Sequence, residues 1–170
     1  MVERERTRTR ERGTTDENSY ERFIRFRREF EERQLTGPVV IKPSDREYEN
    51  NRQGRLLYYL DSLSYKDPPL LDWYVFTHDV RTHSGKHRHQ GGIVIYVIEG
   101  RGYSVVDDER VDWETGDLLL LPIKPRGVEH QHFNAEPGKP CHWVAFLYLP
   151  IMEYVAMEFT QMEVAPDFKG

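Results

Sequence analysis

The run 86-KHRHQGGIVIYVIEGRG-102 joins a His-x-His pair to an apolar segment and a glycine-marked turn. A second pair, His130 and His132, stands further on in Glu129-His130-Gln131-His132-Phe133-Asn134. Side chains at i and i+2 of a strand point to the same face, about 7 Å apart along it. Extended backbone therefore projects His87 with His89, and His130 with His132 and Asn134. Imidazole is the commonest metal ligand, and three neutral imidazoles on one side of an ion leave positions open opposite. One such pair would be unremarkable on a strand. Two pairs in matching strand contexts, separated by turns, argue for a metal site. Lys86 and Arg88 alternate to the other face and do not form a nucleic-acid patch. Ile93 to Ile98 is apolar at every position, as expected of a strand buried on both faces. Its outer face is expected to be covered by an N-terminal strand or by a second copy, so a homodimer is expected.

The flanking sequence continues the β pattern. Short strands are predicted at Val39-Val40-Ile41, Arg55 to Leu60, Leu71 to Val80, Leu118 to Leu121, Val128 to Phe133 and His142 to Leu149. Tyr103 to Asp107 and Glu109 to Trp113 form a hairpin about Asp107-Asp108. About ten strands with turns at regular spacing make an all-β sandwich or jelly-roll barrel. The tail from Ile151 to Val164 suits either a short helix plus a strand or one return strand. Residues 17–36 carry Tyr20, Phe23, Ile24, Phe26 and Phe30 at helical spacing behind a cap at Asn18 or Ser19, which predicts an amphipathic helix ended by Gly37-Pro38. Residues 1–16 hold almost no large apolar side chain and are expected to be a mobile charged arm. Residues 37–170 are then a single domain.

The 170 residues carry a net charge of −5 and one cysteine, Cys141. A lone cysteine excludes an internal disulfide and any multi-cysteine zinc cluster. No apolar run approaches the roughly 20 residues needed to cross a bilayer. No secretory segment is evident, so a soluble cytoplasmic protein is the expectation, with no membrane and no nucleic-acid partner. Phosphate loops, the Gly-x-Ser-x-Gly elbow and the HExxH helix are absent.

These motifs resemble those of the cupins. His87-x-His89 with Gly100 matches the first cupin motif, except that Ile93 stands where that motif has a glutamate. Pro125-x-Gly127, His130 and Asn134 match the second, with Gly116-Asp117 upstream. The resemblance covers roughly residues 71–149. It implies a cupin-type double-stranded jelly-roll β-barrel, preceded here by the N-terminal helix, with a metal in the barrel mouth. Without the glutamate, the implied ligands are His87, His89 and His130. That set resembles the gentisate and salicylate dioxygenases and the β-diketone-cleaving dioxygenases. It implies Fe(II), a chelating small-molecule substrate and dioxygen. Ile95 occupies the position where the ring-cleaving relatives hold the substrate carboxylate with an arginine. A less charged catechol, hydroquinone or diketone therefore suits the pocket better, unless Arg81, Lys124 or Arg126 supplies the cation.

His132 is read as a catalytic acid–base group beside the metal, its ordinary pKa near 6.5 suiting proton transfer; the roles of replacement or fourth ligand stay open. Ile93, Ile95, Gln131 and Asn134 are assigned to the substrate pocket. His78, His83 and His142 are read as ordinary strand or loop residues. The expected function is a mononuclear non-haem iron dioxygenase cleaving a C–C bond in an oxygenated aromatic or a diketone. Two alternatives stand beside it. One is a non-redox isomerase, hydrolase or decarboxylase using Zn, Ni or Mn, since imidazole suits several metals. The other is a small-molecule binding module without turnover.

Overall fold

The computed structural model describes residues 17–170. The expected arm at 1–16 lies outside the described residues. The chain divides into two compact units, with the boundary between Gly37 and Pro38. Taken by itself, the first contains helix α1, Ser19–Thr36. Asn18 caps it, its side-chain oxygen accepting the backbone N–H groups of Tyr20 and Glu21 at 3.0 Å each. This satisfies two of the amides that a helix start leaves unpaired. Pro38, which has no N–H to donate, follows Gly37 at its end.

The second unit holds eleven strands among the described residues: β1 Tyr48–Asn51, β2 Gly54–Leu60, β3 Trp73–Asp79, β4 Lys86–His89, β5 Ile93–Glu99, β6 Arg101–Val106, β7 Glu109–Glu114, β8 Leu118–Leu121, β9 Val128–Asn134, β10 His142–Tyr148 and β11 Thr160–Glu163. A short helix α2, Leu149–Tyr154, precedes β11. The strands form two sheets, in the orders β1-β2-β3-β10-β5-β8 and β11-β4-β9-β6-β7. Leu56, Phe76, Ile95 and Trp143 from one sheet and Trp113 and Val128 from the other belong to one buried core. The result is the all-β jelly roll expected from the strand spacing.

One local expectation is corrected and two are sharpened. Val39-Val40-Ile41 is not a strand; Val39 and Val40 are exposed, and the unit's first strand is β1 instead. The tail forms the helix and strand of the first alternative. In the single chain, Ile93, Ile95 and Val97 of β5 point into the core, while Val94, Tyr96 and Ile98 are exposed, so among the described residues no N-terminal strand covers the outer face and the expected cover is left to a second copy. Here an uninterrupted apolar run conceals an ordinary alternation.

The turn between β6 and β7 is the expected one. Asp107 and Asp108 both have positive φ, 47° and 71°, the type I′ geometry whose twist matches two antiparallel strands. Asp107 also accepts the Glu129 backbone N–H at 2.9 Å and pairs with Lys124 Nζ at 2.6 Å. The hairpin tip is thereby tied to β9.

Candidate metal centre

β4 and β9 are adjacent and antiparallel, with His87 directly opposite His130 and His89 opposite Val128. This register places three imidazoles on one inward face. Ring centroids lie 4.2 Å apart for His87–His130, 4.9 Å for His89–His130 and 5.4 Å for His87–His89. One ligand nitrogen from each lies within 4.8 Å of the others, a spacing that could hold a metal ion. All three are buried. Burial depresses their pKa values, to about 4 for His89, to about 3 for His130, and well below the ordinary value for His87, where the neighbouring His130 and His89 add to the effect. The imidazoles are therefore neutral, the state in which they ligate.

The hydrogen bonds support the same reading. His130 Nδ1 lies 3.2 Å from the Val128 carbonyl, so Nδ1–H donates there and the Nε2 lone pair is left free. The Gly85 backbone accepts from the His87 ring, which is buried like the other two. His89 Nδ1 accepts the Gly91 N–H at 3.0 Å, which puts its ring proton on Nε2. A metal held by that nitrogen would require the ring proton on Nδ1, in place of the bond from Gly91 N–H.

His132 lies outside this trio. It is opposite Ser104 on β6, and its Nδ1 is 2.7 Å from Ser104 Oγ. That oxygen already accepts the Trp113 indole N–H at 2.9 Å. With its proton given to His132 Nδ1, the hydroxyl would leave His132 in the Nε2–H form. Burial, followed by the neighbouring histidines, holds its pKa well below the ordinary value, so it does not titrate near 6.5 as expected.

The four expected pocket residues separate. Ile93 lines a cavity of about 410 Å³ that opens onto His87 and His89. Ile95 is deeper, on a small inner chamber shared with His130, His132 and Trp143. Gln131 points away, its Nε2 donating to the Ser84 carbonyl at 2.9 Å. Asn134 Nδ2 donates to the Val80 and Lys139 carbonyls at 3.1 and 3.0 Å, which clasps two loops together. Neither lines the cavity, the Gln131 amide being spent on the Ser84 carbonyl and the His83 ring and that of Asn134 on backbone groups. Arg81 and Lys124 pair with Asp79 and Asp107, and neither these nor Arg126 lines the cavity.

Two contributors were not foreseen. His78 is buried beside Trp143, ring centroids 4.8 Å apart, and lines the inner chamber. A Cβ on Gly54 would sit 2.3 Å from His78 Nε2, so the glycine makes room for the ring. The signal was available: His78 shares the parity of Tyr74 and Phe76. Phe159, just before β11, stacks on His87 at 5.1 Å and 25° and on His89 at 6.0 Å and 10°. No motif marks it.

Fold and site together define a double-sheet jelly roll with a three-histidine cluster on its inner face. Residues 74–147 match the family described as Cupin domain. Over 74 residues the chain is 34% identical to a gentisate 1,2-dioxygenase from a Ralstonia species, covering 43% of this chain and 20% of that protein. A salicylate 1,2-dioxygenase variant from Pseudoaminobacter salicylatoxidans, solved in complex with gentisate, superposes with a TM-score of 0.51 at 21% identity, over 88% of this chain and 38% of that one. The polyketide cyclase RemF from Streptomyces resistomycificus superposes at 0.52 with 18% identity, over 76% of this chain and 89% of that one. The chain thus spans about a fifth of the curated dioxygenase it matches, and the structural likenesses speak for the fold.

Proposed function

We propose that this protein is a metal-dependent dioxygenase of the three-histidine cupin type, with His87, His89 and His130 holding Fe(II). The observation that carries the reading is the trio itself: three neutral, buried imidazoles on adjacent strands, two of them lining the cavity and the third the small chamber behind it, with no carboxylate among them. The local identity to gentisate dioxygenase supports the redox reading over a non-redox one. Iron bound there would supply the chemistry that brings a chelating substrate and dioxygen together. Both oxygen atoms enter the product as a C–C bond breaks, so no external reductant is required. The chain itself supplies the rest. Ile93 and Phe159 shield the trio from water, and three uncharged ligands leave the cation's double charge to attract a deprotonated, chelating substrate. His132, kept neutral and held by Ser104, offers an N–H donor at a fixed orientation beside the trio.

The test is oxygen uptake by anaerobically iron-loaded protein with catechols, hydroquinones, gentisate and acetylacetone. One dioxygen consumed per substrate lost is the expected result. Protein with confirmed iron that consumes none with any of them overturns the reading; activity with Zn, Ni or Mn in its place supports the Lewis-acid alternative.

We also propose a homodimer. Two rows of outward side chains cross β10, β5 and β8: Phe146–Val94–Leu120 and Val144–Tyr96–Leu118. Leu118 and Leu120 are 61% and 63% exposed. A continuous apolar face of this kind marks an association surface, and a self-complementary patch is met by a second copy.

A further inference from the structure

The cavity above His87 and His89 has a definite charge character. Among the described residues, none that lines it is a lysine or arginine. The one formal charge on its wall is Asp61, whose carboxylate accepts the Leu63 N–H at 2.9 Å and the Ser64 hydroxyl at 2.6 Å. The remaining polar groups, apart from the two histidines, are neutral. Among them is Tyr74, which burial and the adjacent Tyr58 keep protonated. An anionic substituent held on this wall, away from the histidines, meets no lysine or arginine among the described residues and faces a carboxylate. Burying an unpaired charge in this way is among the costliest steps in recognition.

The apolar part of the wall is built by the end of the chain. Met152 on α2, with Met157 and Phe159 in the link to β11, lines the cavity together with Phe76 and Leu147. β11 holds this segment in place by pairing with β4, and Gln90 Oε1 accepts the Glu158 backbone N–H at 2.7 Å. Thioethers adapt to irregular apolar shapes and make favourable contacts with aromatic rings. A volume of about 410 Å³ holds a ring with a branched alkyl group as well as its chelating oxygens.

We infer that the ligand taken by this site chelates through two oxygens and is otherwise uncharged and apolar, an alkyl- or aryl-substituted catechol or β-diketone rather than a carboxylated phenol. Met157 and Phe159 are the residues that set this preference. The inference rests on the reading of the three histidines as the metal centre, and its test separates the two. 4-tert-Butylcatechol and 3,4-dihydroxybenzoate present the same chelating pair and differ only in the ring substituent. Each is titrated calorimetrically, under nitrogen, into iron-loaded full-length protein. The alkyl catechol is expected to bind at least about ten-fold more tightly. Met157→Lys, at a half-buried position, is expected to narrow or invert that ratio by supplying the missing cation. Phe159→Ala weakens the alkyl catechol more than the carboxylated one. Equal or tighter binding of the carboxylate, no binding of the alkyl catechol, or a ratio unmoved by Met157→Lys overturns the inference. Preferential binding without oxygen uptake overturns the dioxygenase reading and leaves this one standing.

Discussion

Five buried histidines, His78, His87, His89, His130 and His132, have pKa values below the ordinary 6.5 chiefly because burial disfavours the imidazolium. The sign of the consequence follows. The unfolded chain takes up protons as pH falls through 6.5, whereas the folded chain does so only near its depressed values, so stability is lost on acidification. For His78, shifted to about 4, the loss between pH 6.5 and 4 is roughly 3 kcal/mol. Denaturant titrations of metal-free protein across that range should fall steeply, and His78→Leu should remove that amount from the fall. An acid limb unchanged in the variant would mean that His78 is not held neutral by the fold. The sequence showed His87, His89 and His130 because strand parity and pairing converge on them. Their low pKa values were not legible, since burial depends on what the opposite sheet supplies. His132 illustrates the limit: its position was readable, but the Ser104 and Trp113 groups that orient it come from a hairpin far away in the chain.

At the level of elements, β6 and β7 support the site from behind. Gly102 faces Trp113, and a Cβ there would lie 2.1 Å from the indole ring and 2.3 Å from the Phe133 carbonyl oxygen. Gly102→Ala should therefore push Trp113 off Ser104 and cost about 2 kcal/mol, as overpacking of a filled core does. Urea unfolding measures the loss, and a shift in tryptophan fluorescence reports the displaced indole. A variant as stable as the parent would show that the hairpin yields freely. Strands with turn residues at both ends were readable from alternation, as the Asp107-Asp108 hairpin shows. The Ile93–Ile98 run did not show which of its faces enters the core, because apolar side chains facing a second copy look the same in sequence as those in a core. Gln131 and Asn134 misled for another reason: a polar residue near a ligand strand is as readily used to tie loops, here through Ser84, Val80 and Lys139.

For the whole molecule, the exposed rows on β10, β5 and β8 bear on assembly. Leu120→Glu changes a side chain that the single chain leaves 63% exposed, so it should hardly affect folding. Light scattering after gel filtration should give twice the chain mass for the parent and the chain mass for the variant. A monomeric parent at micromolar concentration would remove the proposed interface. Among the described residues, no helix is long and apolar enough to cross a membrane. The jelly roll as a whole was legible because two motifs and regular strand spacing agree. The contribution of the C-terminal segment was not, since Met152, Met157 and Phe159 acquire meaning only when the chain returns to lie against β4.

That return has a consequence of its own. β4 has only three residue pairs with β9, and its other side is covered by β11. Without that last strand, the ligand-bearing segment would be the rim of its sheet, with unpaired amides open to solvent and to other chains. The final strand thus acts as a selvedge, the finished border that keeps a fabric from unravelling. Whatever loosens it frays the metal centre first, with amide exchange at residues 86–89 as the earliest sign.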